Sequence, residues 1–222
     1  MEQQSSARLL GADGPFAEVL EGFAPREAQI QMADAVQEAI ETGSSLVVEA
    51  GTGIGKTLAY LVPALTSGER TIISTGTKTL QDQLYFRDLP LVREALESSV
   101  TTALLKGRGN YLCLHRMQMA RTEGRLPSRD AVHELEAVMG WAAQTKDGDL
   151  SIAGEVSEES GLMPFVTSTF DNCLGSECPE FEECFVTRAR REAQEADIVV
   201  VNLHLLFADM AIKQRGFGEV LP

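Results

Sequence analysis

The chain has 222 residues, of which 44% are hydrophobic and 23% are charged, and its formal net charge is −14. This composition is typical of a soluble globular protein with one large domain, or with one domain that carries a substantial insertion. The longest apolar runs are much shorter than a membrane span, and the N-terminus has no apolar segment of signal-peptide length. We therefore expect a cytoplasmic protein without a membrane partner, whose four cysteines are thiols or metal ligands rather than disulfides.

The negative net charge argues weakly against a nucleic-acid partner, but the acidity is local. Ten acidic residues lie between Asp147 and Thr187, where the sequence has no lysine or arginine. Arginines flank this acidic stretch on both sides: Arg116, Arg121, Arg125 and Arg129 before it, and Arg188, Arg190 and Arg191 after it. A basic path for DNA elsewhere on the protein is compatible with this distribution.

In chain order, residues 1–14 are polar and are expected to form a flexible arm. A helix is predicted over residues 26–41, where apolar side chains recur on one face, and Gly43 is expected to end it. The elements predicted after this helix are a strand at 46–49, a helix at 56–65, a strand at 71–74, a helix near 79–86, a strand at 101–105, a helix near 188–196, a strand at 198–201 and a helix from residue 203. Strands that alternate with helices predict an α/β fold, with a parallel sheet covered by helices on both faces.

The α/β alternation is interrupted between residues 107 and 185. Glycine, proline, serine and acidic residues separate short helical pieces there, such as the one predicted over residues 131–143. We interpret residues 107–185 as an inserted subdomain. The α/β domain then consists of residues 15–106 and 186–222.

A phosphate-binding loop is predicted at Ala50–Thr57, with the sequence AGTGIGKT, between a predicted strand and a predicted helix. Its glycines allow backbone N–H groups to turn around an anion, and the helix N-terminus adds its positive dipole end. Lys56 is expected to contact the β- and γ-phosphates, and Thr57 to bind Mg²⁺. The predicted nucleotide-binding residues of the loop are Ala50, Gly51, Thr52, Gly53, Ile54, Gly55, Lys56 and Thr57.

Upstream of this loop, Phe23, Arg26 and Gln29 form the pattern F-x-x-R-x-x-Q. A glutamine amide offers one donor and one acceptor, which match N7 and N6 of adenine. We therefore assign Gln29, together with Arg26 from the same motif, to the nucleotide site. The alternative is a solvated glutamine on an amphipathic helix.

Ser74–Gln81, with the sequence STGTKTLQ, is rich in hydroxyl groups and follows a predicted strand. Such a segment suits hydrogen bonds to a nucleic-acid backbone. Capping of the next helix by Thr77 or Thr79 explains the same residues equally well.

The four cysteines are arranged as one isolated residue, Cys113, and a cluster, Cys173, Cys178 and Cys184, with the spacing C-x4-C-x5-C. Structural zinc sites are usually built from closely spaced cysteine pairs, and no histidine lies within the cluster. The spacing favours a 4Fe–4S cluster. Zinc and unligated cysteines remain alternatives.

Taken together, the motifs F-x-x-R-x-x-Q, AGTGIGKT, STGTKTLQDQL, KGRGNYLC, C-x4-C-x5-C and VVVNLHLLFAD resemble those of the iron–sulfur helicases related to XPD, in the DinG/YoaA branch. The resemblance runs from about Gly22 to the last residue. It implies a RecA-like first motor domain of the P-loop NTPase type, with a 4Fe–4S domain and an arch as insertions. It also implies ATP-driven 5′→3′ translocation on single-stranded DNA and unwinding of duplexes in DNA repair or replication. The implied partners are single-stranded DNA, duplex junctions and replication or repair proteins.

The resemblance also implies roles for individual residues. It implies that the phosphate loop binds ATP and Mg²⁺, with Gln29 on the adenine, and that Cys113, Cys173, Cys178 and Cys184 hold the cluster. The DNA-binding residues implied are Thr75, Thr77, Lys78, Thr79 and Gln81, and the residues expected to contact DNA or the charge of the cluster are Lys106 and Arg108.

The sequence ends where the family has its D-E-A-H box, and the second motor domain is also absent. We therefore expect the 222-residue chain alone to bind ATP but not to hydrolyse it efficiently. One alternative is a non-catalytic DNA- or partner-binding module with a structural or redox-sensing metal site. Another is a zinc-stabilised P-loop ATPase unrelated to DNA.

Overall fold

The computed structural model describes residues 5–154, 156–157, 159–214 and 221. The chain divides into two compact units: unit 1 comprises residues 1–104 and 195–208, and unit 2 comprises residues 105–194 and 209–222. Unit 2 covers the predicted insertion at 107–185, but it also takes in residues 105–106, 186–194 and 209–222, which the sequence assigned to the α/β domain. Of the latter segment, residues 215–220 and 222 lie outside the described part. No helix among the described residues combines the length and the apolar character needed to cross a bilayer.

Unit 1 contains a parallel sheet, as the sequence predicted. Its helices are α1 (Ser6–Leu9), α2 (Phe16–Val19), α3 (Glu27–Thr42), α4 (Lys56–Thr66), α5 (Lys78–Gln83) and α6 (Leu89–Ala95), with a π-helix at Leu84–Asp88 between the last two. Its strands are β1 (Thr71–Thr75), β2 (Thr102–Leu104) and β3 (Ile198–Asn202), followed by α12 (Leu203–Gln214), which continues into unit 2.

Strand β3 is the central strand of this sheet, in the order β1-β3-β2, with Thr71 and Thr102 both in register with Ile198. All five residues of β3 are buried, which explains its nearly continuous apolar sequence. Where β2 and β3 begin, Thr101 donates hydrogen bonds to the Asp197 carboxylate from its backbone N at 2.8 Å and from its hydroxyl at 2.7 Å. These bonds fix the register of the two strands at their entry.

The N-terminal residues differ from the flexible arm that the sequence predicted. Residues 1–4 lie outside the described part, but α1 follows directly and Leu9 and Leu10 are buried in the core of unit 1. Phe16, at the start of α2, is fully buried in the same core. Leu9, Leu10 and Phe16 thus pack in the core of unit 1, where the sequence predicted a flexible arm over residues 1–14.

The strand predicted at residues 46–49 is also absent. The segment has no regular secondary structure, and its apolar side chains are exposed, with Val47 96% exposed. Among the described residues no strand pairs with it, so its backbone lacks the ladder of hydrogen bonds that a β-strand requires. The sequence pattern indicated that this segment favours a β-strand, but it did not show whether another strand is available to pair with it.

Unit 2 consists mainly of short helices, as expected from the interrupted sequence pattern. Its helices are α7 (Leu114–Glu123), α8 (Arg129–Ala142), α9 (Leu150–Ala153), α10 (Met163–Val166) and α11 (Phe185–Glu195), with 3-10 turns at Arg108–Asn110 and Gly175–Glu177. The last residue of α11 belongs to unit 1. Ser128 caps α8 by accepting a hydrogen bond from the Ala131 backbone N at 3.1 Å.

Candidate functional site

The phosphate loop in unit 1 ends at the N-terminus of α4, as the sequence predicted. Gly53 and Gly55 both have left-handed backbone angles, with φ of 80° and 85°. Gly55 directly precedes the first residue of α4, so the unpaired N–H groups of the helix end lie beside the loop. This arrangement can bind an anion.

Lys56 lies at the base of the loop, with its side chain folded back over it. Its Nζ donates hydrogen bonds to the carbonyl oxygens of Ala50 at 2.9 Å and Gly51 at 2.7 Å. Thr57 is half-buried, and its side chain hydrogen-bonds Tyr60 one turn later in α4. Burial is the main cause that raises the pKa of Tyr60 above its ordinary value, so this phenol stays protonated around neutral pH. Tyr60 is not among the residues predicted from the sequence, although its i, i+3 spacing from Thr57 places the two side chains on one face of a helix.

Two side chains from the F-x-x-R-x-x-Q segment contact the loop. Gln29, in α3, is 3% exposed, and its Nε2 donates to the carbonyl oxygen of Gly55 at 3.0 Å. Arg26, just before α3, donates from Nη1 to the carbonyl oxygen of Gly53. The structure thus brings the upstream motif and the phosphate loop together, but in this state the two side chains hold the loop.

The hydroxyl-rich segment after β1 contains residues with different environments. Thr77 and Thr79 are exposed and Lys78 is half-exposed, and Thr77 caps α5 by accepting a hydrogen bond from the Leu80 backbone N at 3.2 Å. The Thr75 hydroxyl donates to the Thr77 carbonyl oxygen at 3.0 Å. The capping role is therefore present, and it leaves most of the segment open to solvent.

Gln81 does not fit the DNA-binding role implied by the family resemblance. It is completely buried, and its Nε2 donates to the carbonyl oxygen of Val200 in β3 at 3.2 Å. This bond holds α5 against the central strand. Gln81 is therefore corrected to a residue that supports the fold, because a buried amide does not reach a bound strand.

Lys106, in unit 2, also differs from its implied role in DNA binding. Its side chain is fully buried, with Nζ 2.7 Å from Asp149 Oδ2 and 2.8 Å from Ser151 Oγ. Its backbone N donates to the hydroxyl of Tyr111 at 3.0 Å, and burial strongly raises the pKa of that phenol. Lys106 is therefore a buried structural cation rather than an exposed contact for DNA.

The four cysteines of unit 2 lie around one cavity of about 150 Å³, which we call the thiol cavity. All four are half-buried and none forms a disulfide. Cys113 immediately precedes α7 and Cys184 immediately precedes α11. Burial raises the pKa of the Cys113 thiol, and the three other cysteines raise it further. The cysteines separated in sequence are therefore neighbours in space.

Two arginines also line the thiol cavity, Arg108 and Arg190. Arg108 donates a hydrogen bond from Nη1 to Cys173 Sγ at 2.9 Å. Of the two contacts expected for Arg108, to DNA or to the charge of the cluster, this bond agrees with the second. Within the part of the chain that the structure describes, however, no group of three or more His, Cys, Asp or Glu side chains is arranged to hold a single metal ion. A metal site is therefore not confirmed.

The comparisons with known proteins identify the class of protein to which these features belong. Residues 28–109, which include all of α3 except its first residue, the phosphate loop and β1, match the family described as DEAD/DEAH box helicase. The parallel sheet and its helices fit the α/β, RecA-like fold of such a domain.

Similarity to individual proteins shows which helicases this chain resembles. The chain is 56% identical over 211 residues to the ATP-dependent DNA helicase YoaA of Escherichia coli, which covers 95% of this chain and 33% of that protein. It is 50% identical over 216 residues to YoaA of Haemophilus influenzae, covering 97% of this chain and 34% of the relative. It is 38% identical over 224 residues to the ATP-dependent helicase DinG of Mycobacterium tuberculosis, covering 90% of this chain and 33% of that protein.

The chain is thus similar to helicases of the DinG/YoaA branch of the XPD-like family, and the resemblance found in its motifs is confirmed. It spans about a third of the length of these curated relatives.

Proposed function

We propose that the chain is the N-terminal part of the first motor domain of an ATP-dependent 5′→3′ DNA helicase, in which unit 2 carries an iron–sulfur cluster. The observation that supports ATP binding is the phosphate loop, which ends at the N-terminus of α4. Lys56 is hydrogen-bonded to two carbonyl oxygens of this loop. A bound triphosphate would replace those carbonyls as the partner of the ammonium, because a charge-assisted bond to phosphate is stronger. Thr57, one residue later, would bind Mg²⁺.

We assign adenine recognition to Gln29 and a loop-holding role to Arg26. Both side chains already reach the loop, so the α3 N-terminus lies beside the nucleotide site. For Gln29 to pair with adenine, its amide would have to exchange the Gly55 carbonyl for the base. The exchange keeps the buried amide hydrogen-bonded throughout, which makes it energetically feasible.

DNA binding is proposed for four residues of this segment that are not buried, namely Thr75 at the end of β1 and Thr77, Lys78 and Thr79 after it. Hydroxyls and a lysine at the carboxyl end of a parallel strand suit contacts to a phosphate backbone. The similarity to the ATP-dependent DNA helicase YoaA of two bacteria supports DNA as the partner. We also propose that the helicase of which this chain is a part interacts with repair or replication proteins.

A 4Fe–4S cluster fits the thiol cavity better than a single zinc ion. A single ion requires its ligand atoms to converge on one point, at about 2.3 Å for zinc and sulfur. The four cysteines share a cavity without converging in this way. A cluster binds each thiolate through a different iron, so its ligands are spread around it. When bound, it would link four segments of unit 2 and supply a one-electron redox centre.

We also propose that these 222 residues bind ATP without hydrolysing it efficiently. The sequence contains no D-E-A-H tetrad, and phosphoryl transfer needs a carboxylate to hold Mg²⁺ and groups that orient the attacking water. Positioning of ATP by the phosphate loop alone leaves most of the transition-state stabilisation missing.

Titration of the chain with a fluorescent ATP analogue and Mg²⁺ tests the nucleotide site. We expect Lys56→Ala to weaken binding by about tenfold or more, because it removes a charge-assisted contact to phosphate. Lys146→Ala, at an exposed lysine of unit 2, is the matched control and should bind as the unmodified chain does. Equal affinities of the Lys56→Ala variant and the unmodified chain would contradict the proposal.

A further inference from the structure

Three arginines follow Cys184 in α11, and the structure gives each a different environment. Arg188 lies over the ring of Phe185, 5.0 Å from its centroid. Arg190 is half-buried and lines the thiol cavity, together with Val186 one turn before it. Arg191 is exposed. In the sequence these three arginines only flank the acidic stretch as one group, but in the structure Arg191 alone of the three is exposed.

Arg190 shares the thiol cavity with a second cation, Arg108. Burial and the nearby charge of Arg108 lower the pKa of Arg190, which reflects the cost of holding two guanidinium groups in a partly dehydrated space. Arg108 already donates to Cys173 Sγ at 2.9 Å. One carboxylate, Glu180, also lines the cavity, and it accepts a hydrogen bond from Gln118 Nε2 at 3.2 Å. Two guanidinium groups against one carboxylate favour an anionic occupant.

Two sets of side chains interact electrostatically with Arg190 and raise its pKa, opposing the effects of burial and Arg108. Asp209 is near enough to interact with it, but the Asp209 carboxylate is 2% exposed and already bonded to Lys213 at 3.1 Å and to the Leu221 backbone N at 3.1 Å. The other set is the pair Cys173 and Cys184. Neutral thiols would supply no charge, whereas a cluster held by four thiolates carries net negative charge.

We propose that Arg190 is a positioning residue that balances the charge of the cluster and raises its reduction potential. This inference rests on the proposed cluster in unit 2. One-electron reduction adds a negative charge to the cluster, and a half-buried cation beside it stabilises the reduced form more than the oxidised form. Removal of that cation must therefore make reduction harder, without requiring any change in the four ligands.

The experiment compares Arg190→Gln with Arg191→Gln, which removes the same charge one position later on the exposed face of α11. Each chain is purified without oxygen, its iron and sulfide are measured, and its cluster is titrated with dithionite through mediators. We expect Arg191→Gln to behave as the unmodified chain. Arg190→Gln should lower the equilibrium constant for reduction about tenfold, a shift of about 59 mV to more negative potential.

A third variant, Arg190→Lys, keeps the positive charge and covers the case in which Arg190→Gln loses its cluster or fails to fold. It should retain iron and a potential close to that of the unmodified chain. If Arg190→Lys shifts the potential as Arg190→Gln does, or if neither differs from the Arg191→Gln control, the inference about Arg190 is overturned while the cluster itself stands. If the unmodified chain contains no iron, the proposed cluster fails and this inference fails with it.

Discussion

Gln29 Nε2 donates a hydrogen bond to the carbonyl oxygen of Gly55 at 3.0 Å, and this contact leaves no room for a side chain at position 55. A Cβ added to Gly55 would lie 2.0 Å from Gln29 Nε2. The φ of 85° at Gly55 is also unfavourable for any residue with a Cβ. The close approach of α3 and the phosphate loop therefore depends on a glycine at this position.

The first prediction concerns Gly55→Ala. We expect it to lower the free energy of unfolding by about 1–2 kcal/mol, because alanine is strained in the left-handed region and Gln29 must move. Gly51→Ala in the same loop is the matched control, since a Cβ there meets no atom within 4 Å. Urea denaturation followed by circular dichroism compares the two. Equal transition midpoints for both variants would show that the contact with Gln29 carries no constraint.

The second prediction concerns the buried ion pair between Lys106 and Asp149. Lys106→Met leaves Asp149 Oδ2 buried without its ammonium partner, and we expect a loss of about 3–5 kcal/mol in unfolding free energy. The exposed Lys146, changed in the same way, should cost less than about 0.5 kcal/mol. If Lys106→Met instead unfolds like the unmodified chain but binds single-stranded DNA more weakly, the residue is a DNA contact after all.

The third prediction is the pH dependence contributed by Asp197. Hydrogen bonds from the Thr101 side chain and backbone lower the pKa of the Asp197 carboxyl in the folded chain. A lowered folded-state pKa means that this stabilisation is fully present above the unfolded-state pKa, about 3.9, and is lost as the pH falls through the folded-state pKa. Because the carboxylate is exposed, its contribution is under about 1 kcal/mol.

Asp197→Asn tests this dependence by urea denaturation at several pH values. The difference in stability from the unmodified chain should be largest near neutral pH and should shrink below about pH 4. Glu195→Gln, at an exposed position nearby in the chain, controls for the loss of one negative charge. A difference that grows as the pH falls would have the wrong sign for this account.

The fourth prediction separates Lys78, which we propose as a DNA contact, from Gln81, which is buried against β3. Lys78→Ala should weaken single-stranded DNA binding and reduce the slope of log K against log salt by about 1. Gln81→Ala should instead lower the unfolding free energy by about 1–3 kcal/mol, because it leaves the Val200 carbonyl without its buried donor. Fluorescence anisotropy at a series of salt concentrations measures the first effect. An unchanged salt slope for Lys78→Ala would remove this lysine from the proposed interface.

Much of unit 1 followed from the sequence because its signals are local. The apolar run at β3 and the glycine that ends α3 predicted those elements to within a residue or two. The strand expected at residues 46–49 failed because strand formation depends on a neighbour, and a pattern within one segment does not specify its neighbour. The same reason explains the N-terminal residues, where a few apolar side chains find a core that is formed elsewhere in the chain.

The candidate sites show the same limit at the level of single side chains. The spacing of the phosphate loop and of the cysteines was visible in the sequence, and the structure brings each set together. The burial of Gln81 and Lys106 could not be predicted, because the sequence does not show whether a polar side chain in a motif faces solvent or a buried hydrogen-bond partner. Arg190 was distinguishable from Arg191 only through helix geometry, since Val186 and Arg190 share a face at i, i+4.

The most direct test of the central claim is the metal content of the thiol cavity. The chain should be purified without oxygen and analysed for iron, acid-labile sulfide and zinc, together with its visible absorbance. We expect about four irons and four sulfides per chain with broad visible absorbance, and their loss in Cys178→Ser. A colourless chain that contains about one zinc ion, or no metal at all, would contradict the account.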